Sequence, residues 1–133
     1  MGTLSARNLV TQQINYIRKR ITYADYGTTV TVGYLPGGAM VVGGGVQIVT
    51  AFNSSGTDLL DVGFIGATTD ANGYATLLPL NAVGFIELDE LATTTNIQQS
   101  DNYTVTCAPA QSVADATAGV ADVVIFFIPN NDG

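Results

Sequence analysis

The chain has 133 residues, of which 47% are hydrophobic and 11% charged, with one cysteine, no tryptophan and no histidine. This length fits one domain. A single cysteine excludes an intramolecular disulfide framework, and without histidine it cannot form a zinc or haem site. All four basic residues lie within the first twenty positions, and the rest of the chain carries eleven carboxylates. We therefore expect a cationic N-terminal arm on an anionic body.

The N-terminal region admits two interpretations. Val10, Ile14, Ile17 and Ile21 recur at helical spacing, but Ile17 and Ile21 also share one face of an alternating strand. We predict an irregular or briefly helical arm, followed by a first strand over residues 16–24, where Ile, Tyr and Thr are frequent.

Later segments alternate short Val- and Thr-rich runs with turn residues. We predict strands over residues 28–35, 39–52, 59–65, 83–88, 91–95, 103–108 and 119–128. Gly43-Gly44-Gly45 predicts a bulge or sharp bend within the second of these strands. Asp70-Ala71-Asn72-Gly73 predicts a tight turn, and Pro79 makes residues 75–80 an edge or connecting segment.

About seven to nine short strands without a long amphipathic helix predict an all-β protein. The favoured fold is an antiparallel β-sandwich, jelly-roll-like, with an extended N-terminal arm. The predicted divisions are an arm over residues 1–15, one sandwich domain over 16–129 and a flexible C-terminal tail over 130–133.

The closing strand contains Val123–Ile128, six consecutive apolar residues with no alternation. Such a strand is expected to be covered on both faces. We predict that one face packs in the core and that the other, with Val124, Phe126 and Ile128, forms a subunit interface. The alternative is a central strand covered by a loop of its own chain. Six residues are also far fewer than the roughly twenty that cross a bilayer as a helix, so no membrane partner is expected.

Catalytic chemistry is poorly supported by this composition. Without histidine no Ser-His or Cys-His pair exists, and no Lys or Arg follows position 20. The remaining candidates are the carboxylate pairs Asp58 with Asp61 and Glu87 with Glu90, which we expect to be solvated surface groups. We therefore predict a protein that is not an enzyme, with no catalytic, cofactor-binding or metal-binding residues.

The basic N-terminal segment is the main candidate for partner binding. Its predicted docking residues are Leu4, Arg7, Leu9, Val10, Ile14, Arg18, Lys19 and Arg20. Charge would set orientation against an acidic partner or a neighbouring copy, while the apolar residues supply most of the affinity. The alternative is a solvated basic strand end. Direct nucleic-acid binding is disfavoured, because the body's carboxylates would repel phosphates.

Four runs of the chain carry a family resemblance. They are ITYAD at residues 21–25, TVTVGYLPGGA at 29–39, VTAFN at 49–53 and LLDVG at 59–63. Across about residues 17–66 the sequence resembles small head-decoration (cement) proteins of tailed bacteriophages. The segment from residue 72 onward is similar only in style, with Thr- and Ala-rich strands.

This resemblance implies a structural virion protein, made in the host cytoplasm, on the outer surface of an icosahedral capsid. Its expected partners are the major capsid protein, whose neighbouring subunits it bridges to stabilise the shell, and itself, as a homodimer or homotrimer. The alternative function is a carbohydrate-binding or adhesin-type β-sandwich module. That alternative depends on the sandwich and on the tyrosines, which are Tyr16, Tyr23, Tyr26, Tyr34, Tyr74 and Tyr103.

Overall fold

The computed structural model describes residues 14–66, 68–92, 97 and 102–129. Within these residues the chain forms eight β-strands and one turn of 3-10 helix. The strands are β1 (Asn15–Thr22), β2 (Val30–Leu35), β3 (Met40–Thr50), β4 (Asp58–Ile65), β5 (Thr69–Pro79), β6 (Gly84–Glu87), β7 (Tyr103–Gln111) and β8 (Val120–Ile128). No helix in these ranges is long and apolar enough to cross a membrane.

The strands form two four-stranded antiparallel sheets, in the orders β1-β8-β3-β6 and β2-β7-β4-β5. The pairing is nested: the first strand pairs with the last, the second with the seventh, the third with the sixth and the fourth with the fifth. This is the order produced when one long antiparallel hairpin folds over itself into two sheets, which defines a jelly roll. The predicted jelly-roll-like sandwich is therefore confirmed.

The core lies between the sheets and is built from alternating apolar positions. In β7, Tyr103, Val105 and Cys107 are buried, as their alternation with threonines predicts. The ring of Phe64 on β4 lies 5.0 Å from that of Tyr74 and 5.6 Å from that of Tyr103, measured between centroids. Such aromatic contacts add to area burial, so this cluster helps fix how the β4–β5 hairpin packs on β7.

Two strand predictions differ from the structure in the residues that it describes. The first strand ends at Thr22 because the next three residues form a 3-10 turn. The Thr22 hydroxyl accepts a hydrogen bond from the Ala24 backbone N–H at 3.3 Å, and Asp25 Oδ2 accepts one from the Thr22 N–H at 2.9 Å. This reciprocal capping satisfies backbone donors locally and ends the strand. The strand predicted over residues 91–95 is a turn at Leu91 and Ala92, and the rest of it lies outside the described residues.

The turn predicted at Asp70–Gly73 is also displaced. The chain reverses between Ile65 and Thr69, and residues 70–73 belong to β5. Val62 pairs with Ala75 and Phe64 with Asp70, so several residues of β5 bulge opposite Gly63. A Cβ on Gly63 would lie 2.0 Å from the Asp70 carbonyl oxygen, so this glycine provides the space for the bulge. The turn-forming residues are used here to bend a strand rather than to close a hairpin.

The bulge or bend predicted near the three glycines is confirmed by a register shift between Val41 and Gly43 on β3. Residues 75–80 were predicted to be an edge or connecting segment. Most of them belong to β5, an edge strand that ends at Pro79, so this prediction is also confirmed. A proline there removes no donor from a sheet interior.

Candidate functional site

The candidate site is the solvent side of the β1-β8-β3-β6 sheet, which we call the outer face. On β8 the apolar run divides between the two sides of the sheet. Val123, Ile125 and Phe127 are buried in the core, and the alternate residues point outward. Phe126 and Ile128 are 38% and 37% exposed, so the described part of the chain does not cover them. The predicted core side is confirmed, and the interface on the other side remains a prediction.

Strand register arranges the outer face into three rows that run across the sheet. The ionic row contains Arg20, Asp122, Gln47 and Phe85. The central row contains Arg18, Val124, Gly45 and Glu87. The aromatic row contains Tyr16, Phe126 and Gly43. Facing neighbours within a row are close enough for their side chains to interact.

One glycine allows an aromatic ring of this face to lie close to the sheet. A Cβ on Gly45 would lie 2.7 Å from Cζ of Phe85, so this ring covers backbone where a side chain would otherwise stand. A Cβ on Gly43 would lie 3.8 Å from Cδ2 of Phe126, which is an ordinary contact distance. A shallow groove of about 350 Å³ lies beside them, lined by Tyr16, Arg18, Gln47, Phe85, Asp122, Val124 and Phe126. The result is a grooved, largely apolar surface with a charged rim.

The charged rim centres on Asp122, whose side chain is 8% exposed. Arg20 Nε donates to Asp122 Oδ1 at 2.8 Å and Arg20 Nη2 donates to Oδ2 at 3.2 Å, while Arg18 Nη2 also donates to Oδ2. The hydrogen bond from Arg20 is the main cause that lowers the pKa of Asp122, with Arg18 adding to it against the opposing effect of burial. Two cations share one anion, so the cluster keeps a net charge of about +1.

The predicted docking residues divide into three groups. Arg18 and Arg20 lie on β1 and contact Asp122 of the same chain. Lys19 is exposed and lies on the side of β1 that also carries Ile17 and Ile21, where a charge on an edge strand discourages pairing with another strand. Ile14 is 61% exposed next to β1. Leu4, Arg7, Leu9 and Val10 lie outside the described residues.

The first pair of carboxylates suggested for acid–base chemistry, Asp58 and Asp61, has structural partners instead. Asp58 and Asp61 are three residues apart on β4 and point to opposite faces. Asp58 is buried and accepts a hydrogen bond from the Tyr26 hydroxyl, while Asp61 Oδ1 accepts one from the Leu77 backbone N–H at 2.8 Å. In the described ranges, no group of three or more His, Cys, Asp or Glu side chains comes together as a metal site.

The remaining sequence candidates are dispersed. Tyr74 and Tyr103 are core residues, whereas Tyr16 lies on the outer face and Tyr34 on the opposite sheet, so the tyrosines do not form one binding surface. Cys107 is buried, as expected, and burial is the main cause that raises the pKa of its thiol to about 12.

The solvent side of the other sheet has a different composition. Its outward residues on the central strands β7 and β4 include Thr104, Ala108 and Asp61. The other sheet also exposes large side chains, with Tyr34, Ile65 and Leu77 at 68%, 48% and 56% exposure. Among the described residues, the paired arginines of the charged rim lie on the outer face. Sequence reasoning did not select Gln47 or Phe85 for this surface. Only the alternation within the short strand β6 could have indicated Phe85.

No protein-family model matches the sequence, and no curated protein matches it. Three solved structures contain chains of similar fold. A chain in the capsid of Ralstonia phage GP4 is 18% identical, with a TM-score of 0.70 over 99% of this chain and 92% of that one. A chain in the capsid asymmetric unit of cyanophage Pam1 is 19% identical, with a TM-score of 0.64 over 96% and 100%. A chain in the acid-stable capsid of Helicobacter pylori bacteriophage KHP30 is 18% identical, with a TM-score of 0.56 over 88% and 89%.

Proposed function

We propose that the protein is a non-enzymatic structural component of a phage virion. In this proposal it decorates the outer surface of an icosahedral capsid and bridges neighbouring major capsid subunits. The observation that carries the proposal is the fold likeness to chains from three phage capsid structures, which extends over 88 to 99% of this chain. The resemblance of residues 17–66 to decoration proteins is a second line of support, because it comes from the sequence.

The surface chemistry supports a role in assembly. On a protein with few charged residues, large exposed apolar side chains mark a surface that contacts other protein subunits. The chain has few charged residues, and its outer face carries Tyr16, Phe85 and Phe126 at 64%, 50% and 38% exposure. Of the carboxylates that could have suggested hydrolysis, Asp58 is engaged by Tyr26 and Asp61 by the β5 backbone.

The N-terminal segment remains the proposed contact with the major capsid protein. Because Arg18 and Arg20 already share Asp122, their net attraction for an acidic partner is smaller than that of two unpaired arginines. Apolar contacts around Ile14, together with those proposed for Leu4, Leu9 and Val10, then supply most of the affinity. Charge would mainly orient the subunit on the shell.

A binding assay with shells tests the proposal. Purified protein is mixed with empty shells of the parent phage that lack it, and binding is measured by co-sedimentation at low and high salt. We expect saturable binding that deletion of residues 2–13 reduces by at least tenfold. Thr104→Glu, on the opposite sheet, is the matched control and keeps wild-type affinity. Absence of saturable binding at both salt concentrations contradicts the proposal. Retention of the protein on a glycan or cell-wall matrix would favour the adhesin alternative.

A further inference from the structure

We propose that the outer face is a two-fold interface between two copies of this chain, with the two-fold axis parallel to the strands. The occupant of the apolar groove is then the same face of a second copy. The interface itself does not require the proposed function, and only the role of the dimer on a capsid rests on it.

The first argument is the concentration of exposed apolar side chains. Those on or beside the outer face are Ile14, Tyr16, Met40, Val42, Val49, Phe85, Phe126 and Ile128. They surround a groove whose polar contributors lie mainly at one end, at Arg18, Gln47 and Asp122. A flat apolar sheet face packs well against another sheet about 10 Å away, as inside a sandwich.

The second argument is the placement of charge at opposite edges of the same sheet. β1 carries Arg18 and Arg20 at one edge, and β6 carries Glu87 at the other. A two-fold axis parallel to the strands places β1 of one copy over β6 of its partner. A two-fold axis perpendicular to the strands, in the plane of the interface, would place β1 over β1 and bring two cationic edges together. Charge therefore selects the parallel axis.

The third argument is the match within each row. A parallel axis keeps every row facing itself with its order reversed, which is the self-complementarity that a two-fold contact requires. In the central row, Arg18 faces Glu87 of the second copy and Val124 faces the position of Gly45, over which the Phe85 ring lies. In the ionic row, Arg20 faces the ring of Phe85 and Asp122 faces the Gln47 amide. These are an ion pair, a cation–π contact and a hydrogen bond.

The projected area of the face is slightly below the usual size of a specific contact. Four strands about 4.8 Å apart, each counted over about seven residues with a rise of about 3.3 Å per residue, give the face a projected area of about 440 Å². Two copies then bury about 900 Å², without counting the extra area of side chains that protrude from the sheet. The lower bound for specific interfaces is about 1,000 Å².

This geometry also has a consequence for bridging. An axis parallel to the strands preserves strand direction from one copy to the other. Ile14 and Ile128 lie at the same end of the β1–β8 pair, so both copies present them at one end of the dimer. A dimer would then offer two identical N-terminal segments to one surface, and two linked contacts raise avidity without new chemistry.

Sedimentation equilibrium of the full chain without shells tests the interface directly. We expect a dimer whose dissociation constant rises about 100-fold or more in Phe126→Asp, because this exposed ring lies on the inner strand β8 and the substitution buries an unpaired charge in the contact from both copies. Tyr34→Asp is the control, since Tyr34 is 68% exposed on the other sheet and should leave the dimer intact. A wild-type monomer at high concentration, or a trimer, overturns the proposal. Far-UV circular dichroism verifies that each variant is folded.

A charge-reversal cycle tests the axis. Glu87→Arg places two arginines opposite each other and should raise the dissociation constant about tenfold, as should Arg18→Glu. The double variant restores the pair in reversed sense and should return within about threefold of wild type. If the double variant instead loses affinity by the sum of the two single-variant free-energy changes, the parallel axis is wrong. Shell binding by a monomeric wild-type protein would refute only the interface, whereas a stable dimer that binds no shell would refute only the proposed function.

Discussion

The consecutive glycines Gly43 and Gly44 of β3 respond differently to an added methyl group. A Cβ on Gly44 would lie 2.2 Å from the Val124 carbonyl oxygen on the neighbouring strand, and the φ of Gly44 is +135°, which L side chains rarely adopt. A Cβ on Gly43 would lie 3.8 Å from Cδ2 of Phe126, an ordinary van der Waals distance. We therefore expect Gly44→Ala to destabilise the fold strongly, with Gly43→Ala as its matched control.

The magnitude follows from two costs at Gly44. A non-glycine residue in a sparsely populated backbone region costs about 1 to 3 kcal/mol. Forcing an extra carbon into a packed position costs about 1 to 3 kcal/mol more. The total is about 2 to 6 kcal/mol. With an unfolding entropy of about 0.28 kcal/mol/K for a chain of this length, it lowers Tm by about 7 to 21 °C. Gly43→Ala should stay within about 1 kcal/mol of wild type, since it also reduces the entropy of the unfolded chain.

Urea unfolding followed by far-UV circular dichroism measures both variants. All samples are compared at one protein concentration, because association makes the midpoint depend on concentration. The reasoning is refuted if Gly44→Ala unfolds within 1 kcal/mol of wild type. It is equally refuted if Gly43→Ala loses as much stability as Gly44→Ala, because the predicted difference comes from the backbone conformation and close contact that only Gly44 has.

Three further predictions concern single side chains. Asp122→Asn should lower stability at pH 7 and weaken the loss of stability in acid. The pKa of Asp122 is depressed in the folded protein. Its contribution to the free energy of unfolding is therefore present above the unfolded-state pKa of about 3.9 and is lost as the pH falls through the folded-state pKa. Urea unfolding at pH 2 to 7 tests this, with Asp61→Asn as the control. Tyr26→Phe should destabilise the fold by about 1 to 3 kcal/mol, because it leaves the buried Asp58 carboxylate without its hydroxyl donor; an unchanged urea midpoint contradicts this. Cys107 should react with an aromatic disulfide reagent at pH 8 at least about 100-fold more slowly than in the urea-unfolded chain, and equal rates would show that the thiol is accessible.

Sequence reasoning predicted the features of the fold that depend on local patterns. Alternation in β7 identified the buried residues Tyr103, Val105 and Cys107, which are 3%, 0% and 1% exposed. Turn residues between short runs gave the number of strands closely enough to favour a jelly roll. The bulge of β5 was missed because Asp70–Gly73 has ordinary turn chemistry, and only the space provided by Gly63 shows that these residues bend a strand.

The site was less predictable, because it depends on pairing between distant parts of the chain. Val124, Phe126 and Ile128 could be selected from one uninterrupted apolar run. The position of Asp122 beside two arginines could not, since it requires the β1–β8 register between residues about one hundred positions apart. Phe85 and Glu87 join the same face only because β6 pairs with β3.

The pairing at Asp122 also changes what the N-terminal charge can do. Arg18 and Arg20 are 59% and 57% exposed, and each solvent-exposed ion pair contributes only about 0 to 1 kcal/mol. With one carboxylate shared between them, their remaining field is that of a single cation at the rim of an apolar surface. Such a charge is too weak to hold a partner by itself, but it is sufficient to distinguish one orientation from another. Affinity must then come from the aromatic and aliphatic groups beside it, and in both proposals charge determines only how the apolar surfaces meet.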